Sequence, residues 1–282
     1  MKAEVENLLG KEFPCLDKGF VRLIDVMGDD SSIVQAARVS YGQGTKSVNE
    51  DRGLIRYLMR HKHTTPFEMV EFKFHIKLPI FIARQWIRHR TANVNEYSGR
   101  YSEMKDDFYI PEPEQIRHQS TMNKQGRSES TLELDKINEI NEILNNNQNQ
   151  TYIDYKRMLE LGLAREIARI SLPVSNYTEW YWKIDLHNLF HFLRLRIDSH
   201  AQYEIRVYSQ IMADIVKAIV PLAWEAFEDY ELNSVYFSKQ EIVALKQLID
   251  FNLPDDEEFA GKLSKREASE LKLKLQKILN IV

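Results

Sequence analysis

The sequence predicts an α+β fold, a mixed α/β arrangement in which a small central sheet packs with long helices and there is no Rossmann fold. Three observations predict it. Between 70 and 78, Val70, Phe72, Phe74, Ile76 and Leu78 alternate with Glu71, Lys73, His75 and Lys77. That period of two makes a strand with one buried face and one wet or interfacial face. The second half is dominated by long helical stretches, read at about 151–171, 184–199 and 201–230. Strand and helix patterns do not alternate regularly, and neither a GxGxxG fingerprint nor a GxxxxGK P-loop occurs, so any dinucleotide is held by side chains.

The other elements follow in order. FVRLIDVM at 20–27 reads as a short strand. Ser47 and Glu50 have capping-box spacing, and the helix they start carries Leu54/Leu58 and Ile55/Met59 four apart and ends near His61. Pro66 closes the loop HKHTTP. Pro79 ends the strand and opens a helix, IFIARQWIRHR, expected to run through Arg90. An irregular polar stretch is expected over 91–107. Residues 112–150 are polar and end in NNNQNQ; they read as a surface excursion within a domain spanning 1–235. Leu132, Leu134, Ile137, Ile140 and Ile143/Leu144 nonetheless hint at a helix there. Residues 236–282 read as a C-terminal helical extension. In it Ser264 and Glu267 cap a basic amphipathic helix with Leu271, Leu275, Ile278/Leu279 and Val282 on one face, suited to docking on protein rather than on a membrane.

With 282 residues, 43% of them hydrophobic, the chain is long enough to bury a sizeable core. A net charge of -4 argues against a protein that coats nucleic acid. The single cysteine, Cys15, forms no internal disulfide, and no Cys/His spacing suggests zinc, so no metal is expected. The N-terminal run MKAEVENLLGKEF lacks the basic start and apolar core of a signal peptide, and no apolar stretch approaches the roughly 20 residues that span a bilayer. A soluble, cytoplasmic protein with neither membrane nor nucleic-acid partners is expected.

The chemistry concentrates in QWIRHRTANVNEYSGRYS, residues 85–102. Arg88, Arg90 and Arg100 offer planar forks that suit phosphate. Ser98-Gly99 lets backbone N–H groups approach an anion closely. Glu96 is placed to orient an arginine or accept from a ribose hydroxyl. The same RHR, taken alone, would also suit a helix C-terminus; the whole run looks like a phosphate-binding loop.

RHR followed after seven residues by Ser, from Arg88 to Ser98, resembles the signature of flavin-dependent thymidylate synthases. The resemblance continues through NEYSGRYS, DKGFVRLIDVMG, AARVSYG, HKHTTPFE, AREIARISLP and LRIDSHAQYEI, together spanning about 17–210. Two departures stand out. Asn93 replaces a common Ser, and Asp185-Leu186-His187 replaces a common Asn-x-Arg, so a titratable imidazole stands where the family often has a fixed cation.

The resemblance implies the following roles. Arg88, His89 and Arg90 hold FAD, with Arg88 also facing the nucleotide. Ser40, His63, Thr65, Glu68, Asp185, His187, His191 and Leu195 are further flavin positions. Gln85, Glu96, Ser98, Gly99, Arg100 and Arg169 form the site for dUMP, Glu96 serving the flavin as well. Arg196 is the principal catalytic residue, since a permanent cation beside O2 and N3 of uracil favours the electron-rich form that is alkylated at C5. Ser98 joins it as a ligand and polariser, because a serine nucleophile needs an adjacent base and no such arrangement is visible. Arg194 is read as a surface arginine. NADPH and 5,10-methylenetetrahydrofolate are the implied co-substrates, and a homotetramer with sites shared between subunits is the implied assembly.

Other readings compete. A folate- and flavin-dependent uridine methyltransferase acting on RNA should carry a dinucleotide fingerprint and more positive charge. A flavoprotein reductase should not bind dUMP tightly. A nucleotide- or RNA-binding module stacking bases on Trp86, Tyr97 or Tyr101 should be colourless, with strongly salt-dependent affinity.

Overall fold

The computed structural model describes residues 3–39, 48–121, 126–248 and 263–280; Ser40 and the Ser47 end of the expected capping box fall outside them. The chain divides into two units, Met1–Leu232 and Asn233–Val282.

In the first unit the order is α1 (Ala3–Glu6), β1 (Glu12–Cys15), β2 (Gly19–Met27), α2 (Asp30–Arg38), α3 (Val48–Arg60), a 3-10 turn (Thr65–Met69), β3 (Glu71–Pro79), α4 (Ile80–Trp86) and β4 (Asn93–Glu96). Then come a small hairpin of β5 (Arg117–Gln119) and β6 (Arg127–Thr131), α5 (Leu134–Glu160), α6 (Arg165–Ala168), β7 (Tyr177–Asp185), α7 (Leu186–Ile197), α8 (Tyr203–Ile219) and α9 (Pro221–Phe227). The main sheet is antiparallel throughout, in the order β1-β2-β3-β7-β4. The small sheet packed with helices is the α+β class the sequence predicts.

β3 alternates as expected: Phe72, Phe74, Ile76 and Leu78 are fully buried. Its partner β7 adds Trp180, Trp182 and Ile184 to the same face, with Phe74 opposite Trp182 and Ile76 opposite Trp180. One face of α8, including Ile205, Tyr208, Met212 and Val216, belongs to this core. Trp86, at the end of α4, is buried among Trp182 (5.3 Å between ring centroids) and Phe192 (4.6 Å). That anchor fixes where the following Arg-His-Arg emerges.

Several boundaries differ from those read in the sequence. No strand is predicted at 177–185, yet β7 is central, and the helix expected from 184 begins after Asp185 caps it by accepting from Asn188 N–H at 2.9 Å. β4 lies in the stretch expected to be irregular, its backbone paired to β7. α4 stops at Trp86, so Arg88–Arg90 lie in the turn beyond it rather than on a helix. The excursion contains the β5–β6 hairpin, and its polar run is the first part of α5. α5 ends before Gly162, whose φ of +84° suits glycine at a helix end, so the helix expected over 151–171 breaks there. The helix expected over 201–230 breaks before Pro221, which has no N–H to continue it and instead starts α9.

In the second unit, α10 (Lys239–Leu248) and α11 (Lys265–Leu279) are linked by Lys246 Nζ donating to Leu279 O at 2.9 Å. The Ser264/Glu267 capping box is present. Among the described residues no helix is long and apolar enough to cross a membrane, and no group of His, Cys, Asp or Glu is arranged to hold a metal ion.

Candidate active site

The turn after α4 and the last turn of α7 meet. Arg196 Nε donates to His89 Nε2 at 3.1 Å. His89 also lies edge-on to Phe192 (4.9 Å) and 5.9 Å from the ring of His191. Burial, then the charges of Arg196 and His191, pull the His89 imidazole down to about 4. It is therefore neutral at pH 7 and accepts the Arg196 proton with an unprotonated nitrogen. Burial likewise lowers His191, helped by Arg194, His187 and Arg196, and it lowers Arg196, helped by Arg88. His89 thus serves as a neutral hydrogen-bonding group beside the Arg196 cation. The bond to His89 uses the Nε–H of Arg196 and leaves its terminal nitrogens for other partners.

Next to this contact lies a cavity of about 230 Å³. His63, His187, His191 and Arg194 line it over an apolar floor that includes Phe67 and Phe190. Arg194, read as a surface residue, is a wall residue here, and its Nη1 donates to Glu231 at 3.4 Å. Glu231 also accepts from Lys62, which sits at φ +60° in the bend after α3 and so turns the chain toward His63. Thr64 lines the wall; Thr65 and Glu68 lie on the adjoining 3-10 turn, and Leu195 is 43% exposed. Asp185 uses both carboxylate oxygens on Asn188, which gives it a capping role in the fold.

A second cavity, of about 110 Å³, gathers Glu96, Gly99 and Arg169 with Tyr97, Asn176 and Thr178. Thr178 Oγ1 donates to Glu96 at 2.7 Å. Asn176 donates twice to backbone carbonyls, leaving its own carbonyl oxygen buried without a protein partner. Gly99 is buried, and a Cβ there would crowd Met104 Sδ (2.8 Å) and Arg169 Cδ (3.0 Å). Glycine at 99 therefore lets Arg169 lie against the loop. Arg100 is exposed and pairs with Glu166 at 3.2 Å. Ser98 Oγ accepts from Arg100 N–H at 3.3 Å, and among the described residues no histidine or carboxylate is hydrogen-bonded to it. Gln85 lies apart from both cavities and donates to Gln202.

The structure thus joins His89, His191 and Arg196 in one place, His63, His187 and His191 in a second that shares His191, and Glu96, Gly99 and Arg169 in a third. Sequence reasoning missed Lys62, Arg194 and Glu231, which gather only through the fold. It also passed over Gln202 and Glu204, although both stand in the LRIDSHAQYEI segment. The sole thiol, Cys15, is buried, and burial pushes it far above its ordinary value, so it is no nucleophile.

An α+β fold that sets Arg194 and three imidazoles around an apolar cavity, with its one thiol inert, suits a phosphorylated aromatic ligand. The chain belongs to the thymidylate synthase complementing protein family, whose model matches residues 22–222. It is 56% identical over 268 residues to a flavin-dependent thymidylate synthase of Wolbachia pipientis, covering 95% of this chain and 93% of that one. It is 58% identical over 241 residues to one from Treponema denticola, covering 86% and 91%. Among solved structures it resembles a UMP/dUMP methylase from Streptomyces cacaoi bound with 5-bromo-dUMP: TM-score 0.71, 32% identity, 78% of this chain and 99% of that one.

Proposed function

We infer that the protein is a methyltransferase that converts dUMP to dTMP, with 5,10-methylenetetrahydrofolate as carbon donor and FAD reduced by NADPH as hydride source. The observation that carries this reading is the Arg196–His89 contact beside a histidine-lined apolar cavity, in a chain of this family. The lining suits a flavin dinucleotide in kind: an apolar floor for a flat ring, imidazoles to hydrogen-bond it and Arg194 for a phosphate. At about 230 Å³ the cavity is below the roughly 300–1,000 Å³ usual for drug-sized ligands, so it takes only part of a dinucleotide.

His63, His187, His191 and the Arg88–Arg90 turn would hold FAD, which supplies hydride when bound. The chain's own residues do the rest. Arg169, Glu96 and the Ser98–Arg100 loop bind and orient the nucleotide. Arg196, held by His89, stabilises negative charge developing at O2 and N3 of the pyrimidine. Ser98 polarises as a ligand. His89 is a positioning residue, fixing which edge of Arg196 faces substrate.

Arg90→Ala is expected to weaken FAD binding about tenfold to a hundredfold, the loss of one charge-assisted contact. Titration of the folded apoprotein with FAD measures this, and unchanged affinity removes Arg90 from the flavin site. The two cavities share no lining residue, which is compatible with sites completed by neighbouring chains, and the family resemblance implies a homotetramer. Light scattering at assay concentration should show four protomers; an active monomer contradicts that assembly.

A further inference from the structure

We propose that Arg127, Glu204 and Gln202 form a positioning relay that fixes the amide of Gln85, so that the polar hairpin inserted between 112 and 150 sets nucleotide affinity from a distance. This rests on Gln85 belonging to the nucleotide site.

Glu204 is 1% exposed, a deeply buried acidic side chain. One of its oxygens accepts from Arg127 on β6 and from the Tyr109 hydroxyl at 3.0 Å. Burial, with Glu204 beside it, raises the Tyr109 phenol well above its ordinary value, so it remains a donor. Arg127 is held in turn by Gln115 Oε1 at 3.3 Å. The other Glu204 oxygen accepts from Gln202 Nε2 at 2.9 Å. Gln202 Oε1 then accepts from Gln85 Nε2.

This order has a direction. A carboxylate paired with a guanidinium only accepts. Gln202 must therefore turn its NH2 toward Glu204 and its carbonyl toward Gln85. Gln85 must answer with one N–H of its amide, which leaves its carbonyl oxygen and the second N–H for a ligand, both held in fixed positions. The relay thus fixes where Gln85 presents its acceptor and its remaining donor to the nucleotide. Arg127 is what makes the buried carboxylate affordable, because an uncompensated buried charge is strongly destabilising. The hairpin thereby acts on a residue it does not touch.

The test is calorimetric titration of the FAD-loaded protein with dUMP. Glu204→Gln keeps the shape but puts a donor beside Gln202, so the amides lose their single direction. It should weaken dUMP about tenfold, with the flavin spectrum and unfolding temperature near those of the wild type. In a Gln85→Ala background, Glu204→Gln should add nothing, since its effect passes through Gln85. Gln202→Leu, at a half-buried position, breaks the link without unpairing Glu204 from Arg127; it should show the same loss and the same silence, and it serves if Glu204→Gln folds poorly. Additive losses overturn the relay, as does unchanged affinity in Glu204→Gln and Gln202→Leu when Gln85→Ala is weakened. Unchanged affinity in Gln85→Ala removes the relay's target. A wild-type protein that binds no dUMP refutes the functional reading itself, and the relay with it.

Discussion

Replacing Arg196 with lysine is expected to lower thymidylate formation about a hundredfold, on the order of 3 kcal/mol, by analogy with removing one preorganised donor from a developing anion. Lysine keeps the positive charge but loses the planar fork that the proposed role of Arg196 requires to meet O2 and N3 together. It also has no Nε–H to lodge against His89 Nε2, so the cation is no longer held in one orientation. The half-reactions should separate: NADPH still reduces the flavin, while methyl transfer to dUMP falls. Stopped-flow reduction and steady-state turnover on the same preparation measure both. Near-normal methyl transfer, or joint loss of flavin and nucleotide, shows that Arg196 does not act on the pyrimidine.

Gly19→Ala is expected to be the most damaging small change in the fold. A Cβ there overlaps Tyr208 Oη and comes within 2.7 Å of Cys15 O and 2.8 Å of Lys77 O. Two of those neighbours are backbone, and the third is a buried hydroxyl that donates to Lys77 O at 2.8 Å, so none yields cheaply. A penalty of about 3 kcal/mol, the upper end for overpacking, is expected. For a chain of this size that lowers Tm by on the order of 10 °C. Thermal unfolding followed by circular dichroism checks it; a Tm within a degree of the wild type would show that the β1–β2 hairpin shifts freely.

Gly19 also shows how much of the chain was legible and in what terms. The DKGFVRLIDVMG segment stands out as part of the family resemblance, yet its residues act here through packing. Asp17 accepts from the Tyr177 hydroxyl at 2.5 Å and from Ile110 N–H, while Gly19 admits Tyr208. A motif locates a requirement without saying whether it is chemical. β3 was readable because each residue's fate follows from its own polarity. β7 has the same alternation in Trp180, Trp182 and Ile184, but its edge merges with a helix pattern that starts one residue after it ends. α5 was obscured for another reason. Its Asn/Gln-rich run reads as loop, yet Gln148 in that run is buried and donates to Tyr109 O and Ser175 Oγ, both at 3.1 Å. A polar side chain can face inward when backbone carbonyls await it.

The site divides in the same way. The Arg88–Arg90 turn and the 96–100 loop are contiguous in sequence, so they were visible as a cluster. His89 and Arg196 are 107 residues apart, and Arg127 and Glu204 are 77 apart. Such pairs exist only once β7 and α7 bring the two halves of the chain together. Spacing along a sequence carries no signal for them.

The reductive methylation of dUMP is tested most directly by release of tritium from dUMP labelled at C5, with each component omitted in turn. Full release is predicted when FAD, NADPH and 5,10-methylenetetrahydrofolate are all present, falling to background when the flavin or the folate is withheld. Release that persists without flavin and NADPH, or none in the complete mixture, would contradict a flavin-dependent methylation of dUMP by this protein.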